Sequence, residues 1–131
     1  MKQFVLAFVA SLLFAGCGFV HDERIDGPYC LNAVDVDAEM SVCYSLPGGD
    51  AVGRIKSTVF AVGSNKDFIV AQRHPNGDRS ITEYYYLIRS CDSAYADPTN
   101  SVRGPLTENE FEEVALRLGL PSFSRTLERV K

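Results

Sequence analysis

The sequence predicts an α+β domain: an antiparallel β-meander, or a partial barrel of about five strands, with one C-terminal helix packed on it. Short segments rich in Val, Ile, Phe and Tyr alternate with turn-forming residues, which is typical of strands joined by tight connections. A single stretch near the C-terminus has apolar residues at helical spacing. Because the connections are short, consecutive strands should pair with one another.

The predicted strands are the segments in which β-branched and aromatic residues are concentrated. They cover residues 29–36, 40–46, 58–63, 68–73 and 82–89. The sequences Pro-Gly-Gly-Asp at 47–50 and Pro-Asn-Gly-Asp at 75–78 predict turns between them. The tail over residues 122–131 fits either a last strand or an extended segment held by Phe123, and both interpretations stay open.

The predicted helix covers Glu108–Leu118 and has a signal at each end. Thr107 and Glu110 have the spacing of a capping box, in which each side chain bonds the backbone N–H of the other. Gly119 favours a left-handed stop after the last turn. A helix of this length is marginal alone, so we expect its apolar face, which contains Phe111, to dock on the sheet.

The N-terminal segment has the layout of a secretory signal. One basic residue, Lys2, precedes an apolar run over residues 4–15, and the small residues Ala15 and Gly16 stand before Cys17. The run is too short for a membrane-spanning helix, which needs about 20 residues. This segment resembles the lipobox of bacterial lipoproteins, and the whole chain is similar to small bacterial lipoproteins of uncharacterised families.

The lipobox resemblance implies where the protein resides and how it is attached. It implies cleavage before Cys17, a diacylglyceryl group on the Cys17 thiol, and acylation of the new amino terminus by a chain such as palmitate. Gly18, rather than Asp, follows the cysteine, which by the family's sorting rule favours the outer membrane in a Gram-negative cell. We therefore expect a signal peptide at 1–16, a lipidated cysteine and tether at 17–26, and one β-rich globular domain at 27–131.

Charge and composition narrow the classes of partner. The formal net charge is −4, and no Lys/Arg cluster predicts binding to nucleic acid. Membrane attachment should therefore depend on the acyl chains. No cofactor is expected, and two histidines without Cys-x-x-Cys or His-x-x-x-His spacing do not predict a metal site. The alternating acids Asp35, Asp37 and Glu39 lack the later residues of a calcium loop, so we expect an acidic turn.

The cysteine count is odd once Cys17 carries lipid. Cys30 and Cys43 lie on two adjacent predicted strands that could form a hairpin, and directly opposed residues can meet the geometry of a disulfide. The sequence thus predicts a possible Cys30–Cys43 bridge, with buried unpaired thiols as the alternative. Cys91 would remain free.

The sequence offers one candidate binding face. Tyr84 and Tyr86 should share one face of their strand and Tyr85 the other. Exposed tyrosines beside Arg73 or Arg89 would suit a binding surface, because tyrosine offers apolar area with a polar tip. Ordinary sheet packing is the alternative.

The sequence predicts no catalytic residue. His74 precedes a turn, and we expect it to be exposed. The function expected is that of a lipid-anchored envelope protein, a non-enzymatic binding or structural module facing the periplasm. Its partners would be the membrane, through the lipid, and another envelope protein or peptidoglycan. The alternative is an envelope hydrolase that uses a carboxylate pair or His74.

Overall fold

The computed structural model describes residues 19–131, and these residues form two antiparallel sheets and one main helix. The first sheet is a meander whose strands are hydrogen-bonded in chain order. Its strands are β1 (His21–Asp26), β2 (Tyr29–Ala33), β3 (Ser41–Ser45) and β4 (Ala51–Ile55).

The second sheet holds the rest of the strands. They are β5 (Val59–Ser64), β6 (Phe68–Arg73), β7 (Glu83–Ile88), β8 (Val102–Leu106) and β9 (Arg125–Thr126). Their order across the sheet is β8-β7-β6-β5-β9, so a second meander is extended at one edge by the C-terminal segment. A short helix α1 (Pro98–Ser101) precedes β8, and α2 (Glu108–Leu118) follows it. The α+β class and the meander are confirmed, and the two sheets stay open rather than closing into a barrel.

Apolar side chains fill the molecule in two layers. The main core lies between the sheets, where Leu31 and Val42 of the first sheet join Ile69 and Leu87 of the second. A smaller cluster lies beneath α2 on the other face of the second sheet and includes Val70 and Phe111. Strand alternation explains the division, because neighbouring residues of β6 point to opposite faces.

Helix α2 has the predicted bounds and the predicted cap. The Glu110 N–H donates to Thr107 Oγ1 at 3.2 Å, and the Thr107 N–H donates to Glu110 Oε1 at 3.1 Å. Gly119 ends the helix with φ 72°, a conformation that glycine adopts without strain. Phe111 is buried and packs 5.2 Å from the Tyr84 ring and 5.5 Å from the Phe123 ring. The helix is therefore docked on the sheet as expected.

The segment expected to be a tether, residues 17–26, is in its described part mostly a strand of the domain. Residues 21–26 are strand β1, which pairs with β2 from His21–Ala33 to Asp26–Tyr29. Their burial alternates between half-buried and exposed, but Ile25 is the one aliphatic residue among them. The alternation of burial along the strand therefore could not be predicted from alternating apolar residues.

The tail combines both of its predicted forms. Arg125–Thr126 pair with β5 as the short strand β9. Leu127 and Val130 are buried in the main core, and Phe123 packs against both apolar clusters. The tail is thus pinned to the sheet by apolar residues on each side of a two-residue strand.

Candidate functional site

The predicted sites divide into those that the structure describes and one that it does not. Cys17 lies outside the described residues, so its lipidation stays a prediction. Cys30 and Cys43 are directly opposed partners of β2 and β3, as a bridge requires, and both are free thiols. The opposed register is the placement that a disulfide needs, and formation of the bridge remains a prediction. Burial raises the pKa of the Cys43 thiol to about 11 and also raises that of Cys30.

The three tyrosines alternate between faces as predicted, but both faces of β7 are covered. Tyr85 is 8% exposed and belongs to the core between the sheets, whereas Tyr86 is 9% exposed and lies beneath α2. Tyr84 is half-buried against the same helix. Most of the aromatic area assigned to ligand contact is used in packing, so we do not propose the three tyrosines as a binding face. Tyr84 also borders a cavity, which is described below.

The two arginines assigned to that face do not come together. Arg73 ends β6 opposite Glu83, while Arg89 follows the far end of β7. Arg73 lies over the Tyr85 ring, 5.5 Å from its centroid, and donates to the Tyr85 hydroxyl at 3.2 Å. Arg89 pairs with Asp26. Each arginine is therefore held by contacts within the domain.

His74 is buried rather than exposed, which corrects the expectation from its turn position. Only 4% of the residue is accessible, and its ring stacks on Phe60 with centroids 4.3 Å apart. Its backbone N–H donates to the Thr58 carbonyl at 2.8 Å, and the Thr58 N–H donates to the His74 carbonyl at 3.0 Å. This reciprocal pair extends the β5–β6 ladder by one step and draws the ring inward.

The two nitrogens of His74 differ. Nδ1 lies 2.8 Å from the carbonyl oxygen of Ile81. Because a carbonyl only accepts, Nδ1 must be the donor, and in the neutral ring Nε2 carries the lone pair. Nε2 is shielded from solvent and has no hydrogen-bond partner. Buried polar atoms are nearly always paired, so this nitrogen, like His21 Nε2, Asn32 Oδ1 and Arg73 Nε, which also lack a hydrogen-bond partner among the described residues, calls for an explanation.

Two cavities adjoin the His74 ring. The smaller one, about 170 Å³, is lined by Thr58, Arg79 and Val130 among others. The larger, about 470 Å³, is bounded by Phe60, Tyr84 and Glu108 as well as Arg79. We call the two cavities together the His74 groove. The larger has the volume of an ordinary small-molecule site, for which about 300–1,000 Å³ is typical.

The loop after β6 gives the groove its charged wall. Asn76 at φ 52° and Gly77 at φ 71° turn the chain back. The Ser80 N–H and hydroxyl both donate to Asp78 Oδ1, at 3.0 and 2.6 Å. Arg79 lies within this turn, between Asp78 and Ser80, and its guanidinium donates to the Arg129 carbonyl at 3.2 Å. Within residues 19–131 Arg79 forms no ion pair, so its remaining donors are available to a ligand.

A second polar cluster lies at the open edge of the first sheet. Asp92 Oδ2 accepts from Arg54 Nε at 3.0 Å and from the Tyr29 hydroxyl at 2.8 Å, and Oδ1 accepts from Ser101 at 3.2 Å. The side chains of Arg54 and Asp92 are both 0% exposed. Burial and the Asp92 carboxylate raise the pKa of the Tyr29 hydroxyl. We call these four residues the Asp92 cluster.

The acids of the predicted acidic turn do not converge. Arg129 donates to Asp37 at 2.6 and 3.3 Å, and Glu39 accepts from the Asp35 N–H at 3.4 Å. In the part of the chain that the structure describes, no three His, Cys, Asp or Glu side chains are grouped to hold a metal ion. None of the helices within residues 19–131 has the length and apolar content to cross a bilayer.

Sequence reasoning missed most residues of the His74 groove and of the Asp92 cluster. It singled out His74 but not Thr58, Arg79, Arg54 or Asp92, which come from segments without a motif. A comparison of the chain with protein-family models, curated proteins and solved structures found no match. The functional argument therefore depends on the residues themselves.

Proposed function

We propose that the protein is a lipid-anchored, non-enzymatic binding module of the bacterial cell envelope, with the His74 groove as its ligand site. The anchor is supported by the lipobox-like sequence that ends at Cys17. The site is supported by one observation above all, the buried Nε2 of His74 that has no partner beside a cavity. A ligand group that donates to this nitrogen would complete a hydrogen-bond set that folding leaves incomplete.

The groove's walls define the chemistry of a suitable ligand. Nε2 of the neutral His74 ring accepts a hydrogen bond, whereas Arg79 donates and attracts negative charge. Phe60 and Tyr84 contribute aromatic surface to the larger cavity, and Glu108 adds an acceptor at its rim. A ligand with hydroxyl or amide donors and a carboxylate fits this set. Peptidoglycan fragments, which combine sugars with short peptides, have these groups and occur in the periplasm.

The test uses the fact that the chain has two histidines. In a His21→Gln variant, the imidazole C–H signals observed by NMR come from His74 alone. Soluble peptidoglycan fragments should shift these signals saturably, and Arg79→Gln should weaken the titration by about 10-fold, the loss of one charged hydrogen bond. Lys66→Gln, at an exposed position remote from the groove, is the matched control. Unchanged His74 signals at millimolar fragment would contradict this assignment.

A hydrolase is the second candidate, and one observation favours it. Nδ1 of His74 is held by a carbonyl, which leaves Nε2 as a base, as in an oriented general base. However, no hydroxyl, thiol or carboxyl group among the described residues forms a hydrogen bond with Nε2. The side chain of Asp92 is buried, but its partners are Arg54, Tyr29 and Ser101 rather than a second acid. Release of new fragments from peptidoglycan, lost in His74→Gln, would favour the hydrolase over the binding module.

A further inference from the structure

An exposed apolar patch lies where the described chain begins. The Val20 N–H donates to the carbonyls of Ala33 and Val34, at 2.8 and 3.3 Å, so Val20 is fixed beside the end of β2. Val20, Val34 and Val36 are 54%, 52% and 54% exposed. We call these three residues the valine patch. Single exposed valines are ordinary, but Val20 lies beside Val34 across the strand pair and Val36 is two residues further along, so the backbone places the three close enough to be covered together.

The place of Cys17 in the sequence, together with its proposed lipidation, points to the kind of partner that would cover the valine patch. Successive Cα atoms are about 3.8 Å apart, so the three links from Cys17 to Val20 span at most about 11 Å. A lipid attached to Cys17 places this residue at the headgroup level of the bilayer. Val20 must then lie within that distance of the lipid surface. A nine-residue tether would have allowed the domain to stand away, but β1 begins at His21.

We infer that the valine patch contacts the lipid surface and fixes the orientation of the domain on the membrane. This inference rests on the proposed lipidation of Cys17. Asp22 and Asp35 are exposed next to the patch, so anionic headgroups would be repelled. The partner is therefore a zwitterionic lipid surface, contacted through apolar side chains rather than through basic residues.

The test exploits the absence of tryptophan from this chain. A Val34→Trp variant of the full acylated chain has a single indole, whose emission reports its environment. In phosphatidylcholine vesicles with brominated acyl chains, this indole should shift to the blue and lose most of its emission. Leu116→Trp is the matched control, because Leu116 is 91% exposed on α2, beyond the second sheet. Its emission should be unchanged.

The outcomes separate this inference from the anchoring it rests on. Mass spectrometry and flotation establish whether the chain is acylated and vesicle-bound. An acylated, floating protein in which Val34→Trp and Val36→Trp are both unquenched overturns the membrane contact and leaves the anchor standing. A chain that is neither acylated nor floating overturns both. Equal quenching at Leu116 would also contradict the inference, since it would show no preferred orientation.

Discussion

The Asp92 cluster and the His74 groove are both polar regions within a β-rich domain, yet their polar atoms are satisfied to different degrees. In the Asp92 cluster each carboxylate oxygen accepts from a buried or half-buried donor, and Arg54 also donates to the carbonyls of Gly53, Ser93 and Ala94. At His74 one ring nitrogen is bonded and the other is not. The first region is closed and complete, and the second is open and incomplete.

This difference suits the Asp92 cluster to a structural role and, under the proposed function, the His74 groove to a binding role. A buried ion pair with all its hydrogen bonds made fixes the segments that carry it, because loss of either partner leaves an uncompensated charge. Asp92 thereby ties the loop before α1 to strand β4. An unsatisfied buried nitrogen has no such role, since its desolvation is a cost that nothing in the described fold offsets. Under the proposed binding function, the ligand supplies the missing partner.

The largest effect should follow from opening the Asp92 cluster. Asp92→Ala leaves the Arg54 charge and the Tyr29 hydroxyl without their acceptor, and we expect unfolding free energy to fall by about 3–5 kcal/mol. Denaturant titration of the domain measures this loss. Asp50→Ala, at an exposed turn position, is the control and should change stability by less than about 0.5 kcal/mol. A loss below about 1 kcal/mol at Asp92 would mean that the cluster is not closed.

A smaller structural effect and a larger functional one should follow at His74. His74→Phe keeps the stacking on Phe60 and removes the orphaned nitrogen, but gives up the bond to the Ile81 carbonyl. We expect the free energy of unfolding to stay within about 1 kcal/mol of the parent, while ligand binding is abolished. A loss of several kcal/mol, measured in the same denaturant series, would show that His74 supports the fold and would remove the contrast with Asp92.

The strands that sequence reasoning found and missed differ in position within the sheets. The five predicted strands correspond to β2, β3, β5, β6 and β7, which are all internal, whereas β1, β4, β8 and β9 are the four edges. Of these edges only β9 lies in a segment for which a strand is one of the two interpretations that the sequence allows. The internal strands keep nearly all of their residues buried or half-buried and are therefore rich in apolar residues. Edge strands tend to carry charges, Gly or Pro, which discourage pairing with other chains. Gly104 and Pro105 in β8 illustrate this pattern. Because such residues interrupt the apolar pattern, an edge strand is not detected from hydrophobicity along the sequence.

The sites were less predictable than the fold, for a related reason. Helix α2 was predictable to the residue because its capping box and stop are local signals. The Asp92–Arg54 pair joins residues 38 positions apart, and neither stands in a motif. His74 was noticed, but its burial depends on the ladder with Thr58 and on Phe60, which only the folded sheet brings together. Polar clusters formed by tertiary contacts leave no periodic signature.

The two opposed buried thiols, Cys30 and Cys43, offer the smallest and most specific test. Burial raises the pKa of Cys43 to about 11, whereas an unfolded cysteine titrates near about pH 8.5. The folded state therefore holds this proton more tightly. Its contribution to stability is complete below about pH 8.5 and is lost as the pH rises toward 11.

Unfolding free energy of the reduced protein should thus decline over this alkaline range, and the decline should be shallower in Cys43→Ala. The variant is needed because other groups, Tyr29 among them, also titrate in alkaline solution. A Cys30–Cys43 disulfide would remove both thiols, whereas Cys43→Ala keeps Cys30, whose pKa is also raised. An oxidised sample should therefore show a decline at least as shallow as that of Cys43→Ala until a reductant restores the steeper decline. Identical pH profiles for the parent and Cys43→Ala under reducing conditions would show that the thiol is not buried as described. An oxidised sample that behaves like the reduced one would show that the opposed cysteines remain unpaired, since only a disulfide can abolish both titrations at once.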